Sequence, residues 1–305
     1  MKLANPLAAW RQRKLHRTLE PQIARVERYL EGIAGARPAD SRPVLFFNAS
    51  TRIHRLSLNG AFGLLASWAV RAHGVPVLQL ICRQGMDQCI LGTDRRNLAG
   101  APPCRPCIEL SEILFPGPAA WLPLRPDIVA RVESDLRDRP LSALASWQDR
   151  GLPLGQLCLP GLRWALRRHH LPDTEAIRSV FRRYLASAAS LAAQVERVMD
   201  ESSPRALVVF NGIFFPEAVA REVARSRNVP VVTHEVGLRP ASAFFSHREA
   251  TFRQMDVAAG VTLTPEQNEA LDRYLEDRFR GRFTMAGVKF WDGMSPLPEW
   301  LKTRA

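Results

Sequence analysis

The sequence predicts an α/β fold with a doubly wound, mostly parallel sheet and helices on both faces. Two stretches carry that prediction. Residues 207–247, LVVFNGIFFPEAVAREVARSRNVPVVTHEVGLRPASAFFSH, read as strand, helix, strand and a polar loop. The segment opening with VLFFNAS (Val44–Ser50) repeats the pattern. Both first strands end in Phe-Asn, and both second strands are entered through Val-Pro-Val. Short apolar runs of this kind suit strands covered on both faces. A strand–helix–strand unit of this size joins parallel strands. Two such units on one sheet make a Rossmann-like arrangement, in which ligands lie outside the carboxyl ends of the strands. Those ends hold Asn48, Asn211 with Gly212, and His234 with Glu235. If the parent strands run side by side in one direction, these residues share a rim.

The remaining elements follow in chain order. Residues 1–36 read as a basic amphipathic helix with Leu15, Leu19, Ile23, Val26 and Leu30 on one face. Such a helix either packs on the flank of the domain or lies on an anionic membrane surface, with Trp10 at the interface. Residues 1–40 are therefore set apart as helix and linker, 41–290 as the Rossmann-like domain, and 291–305 as a linker. Ala61, Leu64, Leu65, Trp68, Ala69 and Ala72 form the stripe of the first sheet-covering helix, which stops at Gly74. Ile108–Phe115 and Asp127–Leu136 predict shorter helices, separated by prolines that break the chain. Residues 141–171 mix Trp147, Leu157, Leu162 and Trp164 with the basic run Arg167, Arg168, His169 and His170. Residues 173–201 carry apolar side chains at spacings of three and four, the crossover helix between the two halves of the sheet. Thr264-Pro265-Glu266-Gln267 is a capping box that starts another helix, with Leu271, Tyr274, Leu275 and Phe279 as its expected buried face.

A chain of 305 residues with 46% hydrophobic content buries a substantial core. Its formal charge is +12, carried almost wholly by arginine, which fits an anionic partner without choosing one. The basic amino terminus lacks the apolar run of a secretory signal, and no stretch has the length of a membrane span. A cytoplasmic location follows, peripheral at the inner membrane face if the first helix binds lipid. The cysteines are then reduced or metal-bound.

Neither strand–helix loop has a G-x-x-x-x-G-K-[ST] or G-x-G-x-x-G pattern, which argues against an ATPase or a dinucleotide enzyme. The first loop instead offers Asn48, Ser50, Thr51, Arg52 and His54, hydrogen-bonding groups suited to a polyol or charged sugar. Residues 82–107, CRQGMDQCILGTDRRNLAGAPPCRPC, space Cys82, Cys89, Cys104 and Cys107 as C-x6-C-x14-C-x2-C. The Cys104–Cys107 pair has the bite of a zinc knuckle, while x6 is looser than usual. A structural zinc and plain reduced thiols both remain open. The segment is long for a loop, so something should pin it.

The pieces FNG-x3-PE, THE-x-G and FFSH, together with the cysteine-bearing loop, resemble the amino-terminal half of GT-B-type glycosyltransferases of bacterial capsule and surface-polysaccharide synthesis. That resemblance implies an acceptor-side domain. A second Rossmann-like domain, or a partner chain, would hold the nucleotide-sugar donor. It implies transfer to a polysaccharide or lipid-linked acceptor. Glu235, His234 or His247 would be the base, and Arg239 or Arg248 would meet phosphate. Asn48, Ser50, Thr51, Arg52, His54, Asn211 and Gly212 would line the substrate. A non-catalytic sugar or nucleotide-sugar binding module is the alternative from another class. A nucleic-acid binder is disfavoured by the lack of any recognised module.

Overall fold

A computed structural model describes residues 6–33, 40–49, 56–237, 241–249, 260, 262–280, 284–285 and 288–289. The chain divides into two compact units. One comprises Met1–His234 and Phe245–Thr251, the other Glu235–Phe244 and Phe252–Ala305.

The first unit is built on strands β1 (Val44–Asn48), β2 (Val77–Cys82), β3 (Ala119–Leu122), β4 (Ala206–Phe210) and β5 (Val231–Val236). With β6 (Ala243–Ser246) they form a six-stranded sheet of order β3-β2-β1-β4-β5-β6. The β1–β2, β1–β4, β2–β3 and β4–β5 pairs are all parallel. The last strand makes the sheet mixed. Strand order runs outward from β1 in one direction and then jumps to β4 on its other side. That reversal is where two crossovers leave in opposite directions and open a crevice.

Side chains alternate between the two faces. Leu45, Phe47, Leu80, Leu207 and Val209 join one core with helices α4 (Pro126–Leu136), α5 (Leu141–Ala145), α6 (Leu154–Leu166), α7 (Glu175–Ser202) and α8 (Glu217–Ser226). Val44, Phe46, Val77, Val208 and Ile81 face the other way, against α2 (Leu58–Ala72) and its neighbours. Helix α7 is the crossover helix, about 42 Å long at 1.5 Å per residue. It is buried continuously from Tyr184 to Ala192, and Phe181 and Tyr184 are wholly inaccessible. Burial of each such large side chain contributes roughly 1.5–3 kcal/mol.

The amino-terminal helix α1 (Pro6–Ile33) packs on the domain. Ile23 sits with Leu64, Leu110 and Leu114, the last two from α3 (Cys104–Leu114). Glu27 accepts from Trp68 Nε1 at 3.1 Å and pairs with Arg71 at 2.7 Å. The side chain of Trp10 lies outside the described residues, as do residues 291–305. Among the described residues no helix is long and apolar enough to cross a membrane.

The second unit contains α9 (Pro265–Phe279) and the antiparallel pair β7 (Thr284–Met285) and β8 (Val288–Lys289). The capping box is present: Thr264 N donates to Gln267 Oε1 and Gln267 N to Thr264 Oγ1. The apolar stripe behind it differs from expectation. Leu271 and Leu275 are exposed and Phe279 is 86% exposed. A helical period reports amphipathicity, and burial needs a partner surface as well.

The turn after β4 is strained by design. Asn211 and Gly212 both have positive φ, 56° and 81°. A Cβ on Gly212 would stand 3.0 Å from Thr233 Cγ2 and 3.2 Å from Arg221 Cδ. Gly212→Ala should therefore lower unfolding stability by roughly 1–2 kcal/mol. At Gly32, on α1, an added Cβ meets nothing within 4 Å. Gly32→Ala should be neutral or stabilising by up to about 1 kcal/mol. Urea denaturation of both variants checks the pair.

Candidate functional site

The parallel pairing brings the ends of β1, β4 and β5 to one edge of the sheet. In register, Phe210 lies beside His234, and Asn211 N donates to His234 O at 2.8 Å. Asn48 ends β1 and is buried. Its Nδ2 donates to Gln79 Oε1 at 2.6 Å and to Phe46 O at 3.1 Å. Because Phe46 and Asn48 share a face and Phe46 pairs with Gln79, the two amides meet without leaving the strand geometry.

Gly63 of α2 lies over this point. A Cβ there would be 3.4 Å from His234 Nε2 and 3.8 Å from Asn48 Oδ1. Asn48 and His234 thus meet beneath Gly63, within van der Waals reach of where its Cβ would stand. His234 is 4% exposed, flanked by the rings of Phe210 and Phe245 with centroids 6.0 and 5.9 Å away. Its Nδ1 is buried and, among the described residues, has no hydrogen-bond partner. Burial alone pushes its pKa down to about 4, so the imidazole is neutral at pH 7. An unpartnered buried nitrogen costs about 1–3 kcal/mol, a cost a packing residue has no reason to keep.

Asn211 Oδ1 accepts from Ile213 N at 3.1 Å, which fixes the turn that carries Gly212. Glu235 follows His234 in the same strand, so the two side chains project to opposite faces of the sheet. Its Oε1 accepts from Val236 N at 2.9 Å. His247 and Arg248 are placed elsewhere. His247 Nδ1 is 3.3 Å from Val231 O, at the amino end of β5. Both residues line a groove with Arg221, Arg225 and Pro230 at that end. Arg221 pairs there with Glu249. The structure therefore brings Asn48, Asn211, Gly212 and His234 to the carboxyl rim, and His247 and Arg248 to the opposite end. Ser50, Thr51, Arg52, His54 and Arg239 lie outside the described residues.

Two residues of this rim were not singled out from the sequence, and both left a signal. Gly63 interrupts a helix, where glycine costs about 1 kcal/mol against alanine. Gln79 is the one polar residue in VLQLIC and is 7% exposed. A buried amide in a strand needs a partner.

Cys82, Cys89, Cys104 and Cys107 line a single small cleft of about 30 Å³ outside the ends of β1 and β2, with Ala49 and Met86. All are thiols. Burial, and then the neighbouring thiols, push Cys89 up to about 12. The connection between β2 and α3 is pinned from α7. Arg183 pairs with Asp87 and donates to Leu98 O, Ser187 Oγ accepts from Gln88 N, and Tyr184 bonds Thr93. Among the described residues no group of three or more His, Cys, Asp or Glu could hold a metal ion.

No family model matches the chain, and no curated protein matches it.

His234 sets a pH dependence whose sign is fixed. With the unfolded value near 6.5 and the folded value at about 4, the unfolded chain binds the proton more readily between them. This contribution is intact above pH 6.5 and is lost as pH falls toward 4. Between pH 7 and pH 5 it removes about 2 kcal/mol. Urea denaturation at the two pH values should show that much less loss in His234→Gln than in the parent chain.

Proposed function

We propose that this chain is the acceptor-side domain of a glycosyltransferase, passing a sugar from a nucleotide-sugar to a polysaccharide or lipid-linked acceptor. The observation that supports this most is the convergence of Asn48 and His234 beneath Gly63, where the strand order reverses. Neutral amides and a neutral imidazole suit hydroxyl groups, which need directional hydrogen bonds and no net charge. Asn48 and Asn211 would position the acceptor, with Ser50, Thr51, Arg52 and His54 following Asn48 in the chain.

In the transfer, the acceptor oxygen attacks the anomeric carbon and forms the new glycosidic bond. The bond from that carbon to the diphosphate oxygen breaks, and the nucleotide leaves with the electron pair. The hydroxyl proton passes to a base. His234 is the candidate at the rim. Its low pKa makes it a weak base, suited to a hydroxyl that becomes acidic only as its bond to carbon forms. Glu235 is the alternative from the other face of the strand. Arg239, three residues past the end of β5 in the sequence, would meet the leaving phosphate. A second Rossmann-like domain or partner chain would bring the donor. Lys14 and Arg17, exposed on α1, would meet an anionic membrane surface bearing a lipid-linked acceptor.

The near-complete burial of His234 favours one other reading, a sugar-binding module that holds its ligand without reacting. The two separate on turnover. With the donor-binding half supplied, transfer of a labelled sugar supports the enzyme, and saturable saccharide binding without transfer supports the module.

Gly63→Ala tests the site under both readings. The added methyl makes ordinary contact at 3.4 Å and improves helix propensity, so thermal stability should hold or rise. Saccharide affinity, by calorimetry, should fall at least tenfold. Under the enzyme reading, His234→Gln should lower transfer by roughly 10²-fold or more with binding largely kept. Unchanged affinity in Gly63→Ala would place the ligand elsewhere.

A further inference from the structure

We propose that Trp164, Arg167 and Arg168 form a subsite for an acidic sugar residue of the acceptor, one bearing a carboxylate or phosphate group. This rests on the saccharide reading of the rim. The subsite borders the turn after β4. That turn carries Phe214, three residues past Asn211, and the Phe214 ring lies 6.0 Å from that of Trp164 near the end of α6. Trp164 is 41% exposed, and its indole N–H makes no hydrogen bond among the described residues. An exposed indole offers apolar surface to the C–H groups of a sugar and a donor to its hydroxyls.

The charge around this ring is one-sided. From Arg150 to Pro172 the sequence holds no aspartate or glutamate. Arg163, Arg167 and Arg168 form no ion pair among the described residues. The next carboxylates in the chain, Asp173 and Glu175, are already held by Arg178 and Arg182. Arg167 and Arg168 are both exposed. The guanidinium carbon of Arg167 stands over the Trp164 ring, 4.8 Å from its centroid. Stacking of this kind holds the guanidinium in place and uses none of its N–H donors. The free fork matches a pair of carboxylate or phosphate oxygens.

Helix stability explains only part of this cluster. A cation in the last turn, such as Arg163, complements the carboxyl end of the helix dipole. Arg167 goes further. It caps α6 with a φ of 55°, in the left-handed region where glycine is the unstrained choice. An arginine kept in that position and stacked on an exposed tryptophan points to a ligand. Its class follows from the same contacts. Arg167 already stands over the ring, so a nucleobase has less of it to stack on. A membrane surface is met through several exposed apolar groups, and Trp164 is the one large apolar side chain exposed on α6. An acidic sugar presents hydroxyls, C–H groups and an anion together, which is what this patch can bind. Contacts of this kind, away from the reacting atoms, would hold the acceptor chain in place at the rim.

The test is calorimetric binding to the full chain of oligosaccharides bearing uronic acid or phosphate groups, beside neutral ones of equal length. The acidic ligands should bind about tenfold tighter or more at low salt. Arg167→Gly removes the guanidinium and relieves the left-handed position, so thermal stability should hold or rise while the acidic preference is lost. Arg225→Gln, which removes an equal charge at the amino end of β5, should leave the preference intact. Acidic and neutral ligands that bind equally, and both weaken in Gly63→Ala, would leave the rim reading standing and overturn this one. Acidic ligands that bind unchanged in Gly63→Ala, yet weaken in Arg167→Gly, would keep the patch and remove the rim. A preference that survives Arg167→Gly, or falls as much in Arg225→Gln, overturns the proposal. So does tighter binding of phosphatidylglycerol vesicles or of a nucleoside diphosphate, lost in Arg167→Gly. Absence of any saccharide binding overturns both readings.

Discussion

Asn48 ends a strand that is buried along its whole length, between parallel neighbours on both sides. An amide in that position has no water to turn to. It must be paired within the protein, and Gln79 on the adjoining strand accepts from it at 2.6 Å. This pairing fixes the end of β1 at the point where strand order reverses. The positions of Gly63, His234 and Asn211 follow from the same register. A one-residue slip of β1 against β2 would turn Asn48 to the opposite face and dissolve the rim.

The other face of the sheet supplies the rigidity. Helix α7 is the backbone of that layer and does two jobs with one surface. Its inward side fills the core through Phe181, Tyr184, Leu185 and Leu191. Its Arg183, Tyr184 and Ser187 also hold the segment that carries Cys89. Gln194, two turns along, reaches Pro123 O just past β3. The cysteine cleft and the carboxyl rim are thus set by one frame, although they draw on different side chains.

Much of that frame was legible in the sequence. The repeated Phe-Asn and Val-Pro-Val punctuation marks four of the parallel strands, and the apolar stripe of 173–201 marks the crossover helix. Strand β3 and helix α6 were hidden, each for a physical reason. Strand β3 is four residues long and lies among prolines that read as chain breaks. Helix α6 contains Gly155, Pro160 and Gly161, residues that normally argue against a helix. Gly155 is there because nothing larger fits: a Cβ would meet Leu144 O at 2.4 Å. At Gly161 a Cβ would meet Ile90 Cδ1 at 3.1 Å, a tight contact. Helix α9 was read correctly as a helix, but its stripe is exposed. Of the site, the rim residues at strand ends were legible from topology alone. The approach of Gly63 to His234 was not, because it joins residues far apart in the chain. His247 and Arg248 looked like rim residues only by nearness in sequence to His234; the chain carries them to the other end of β5.

The most direct measurement is hydrogen–deuterium exchange with and without a saturating saccharide or nucleotide-sugar. If the rim is the ligand site, protection should rise in peptides covering 44–63, 207–216 and 231–237. Peptides covering 221–230 and 247–249, at the amino end of β5, should be unchanged. Protection confined to that amino end, with the rim unaffected, would contradict the account.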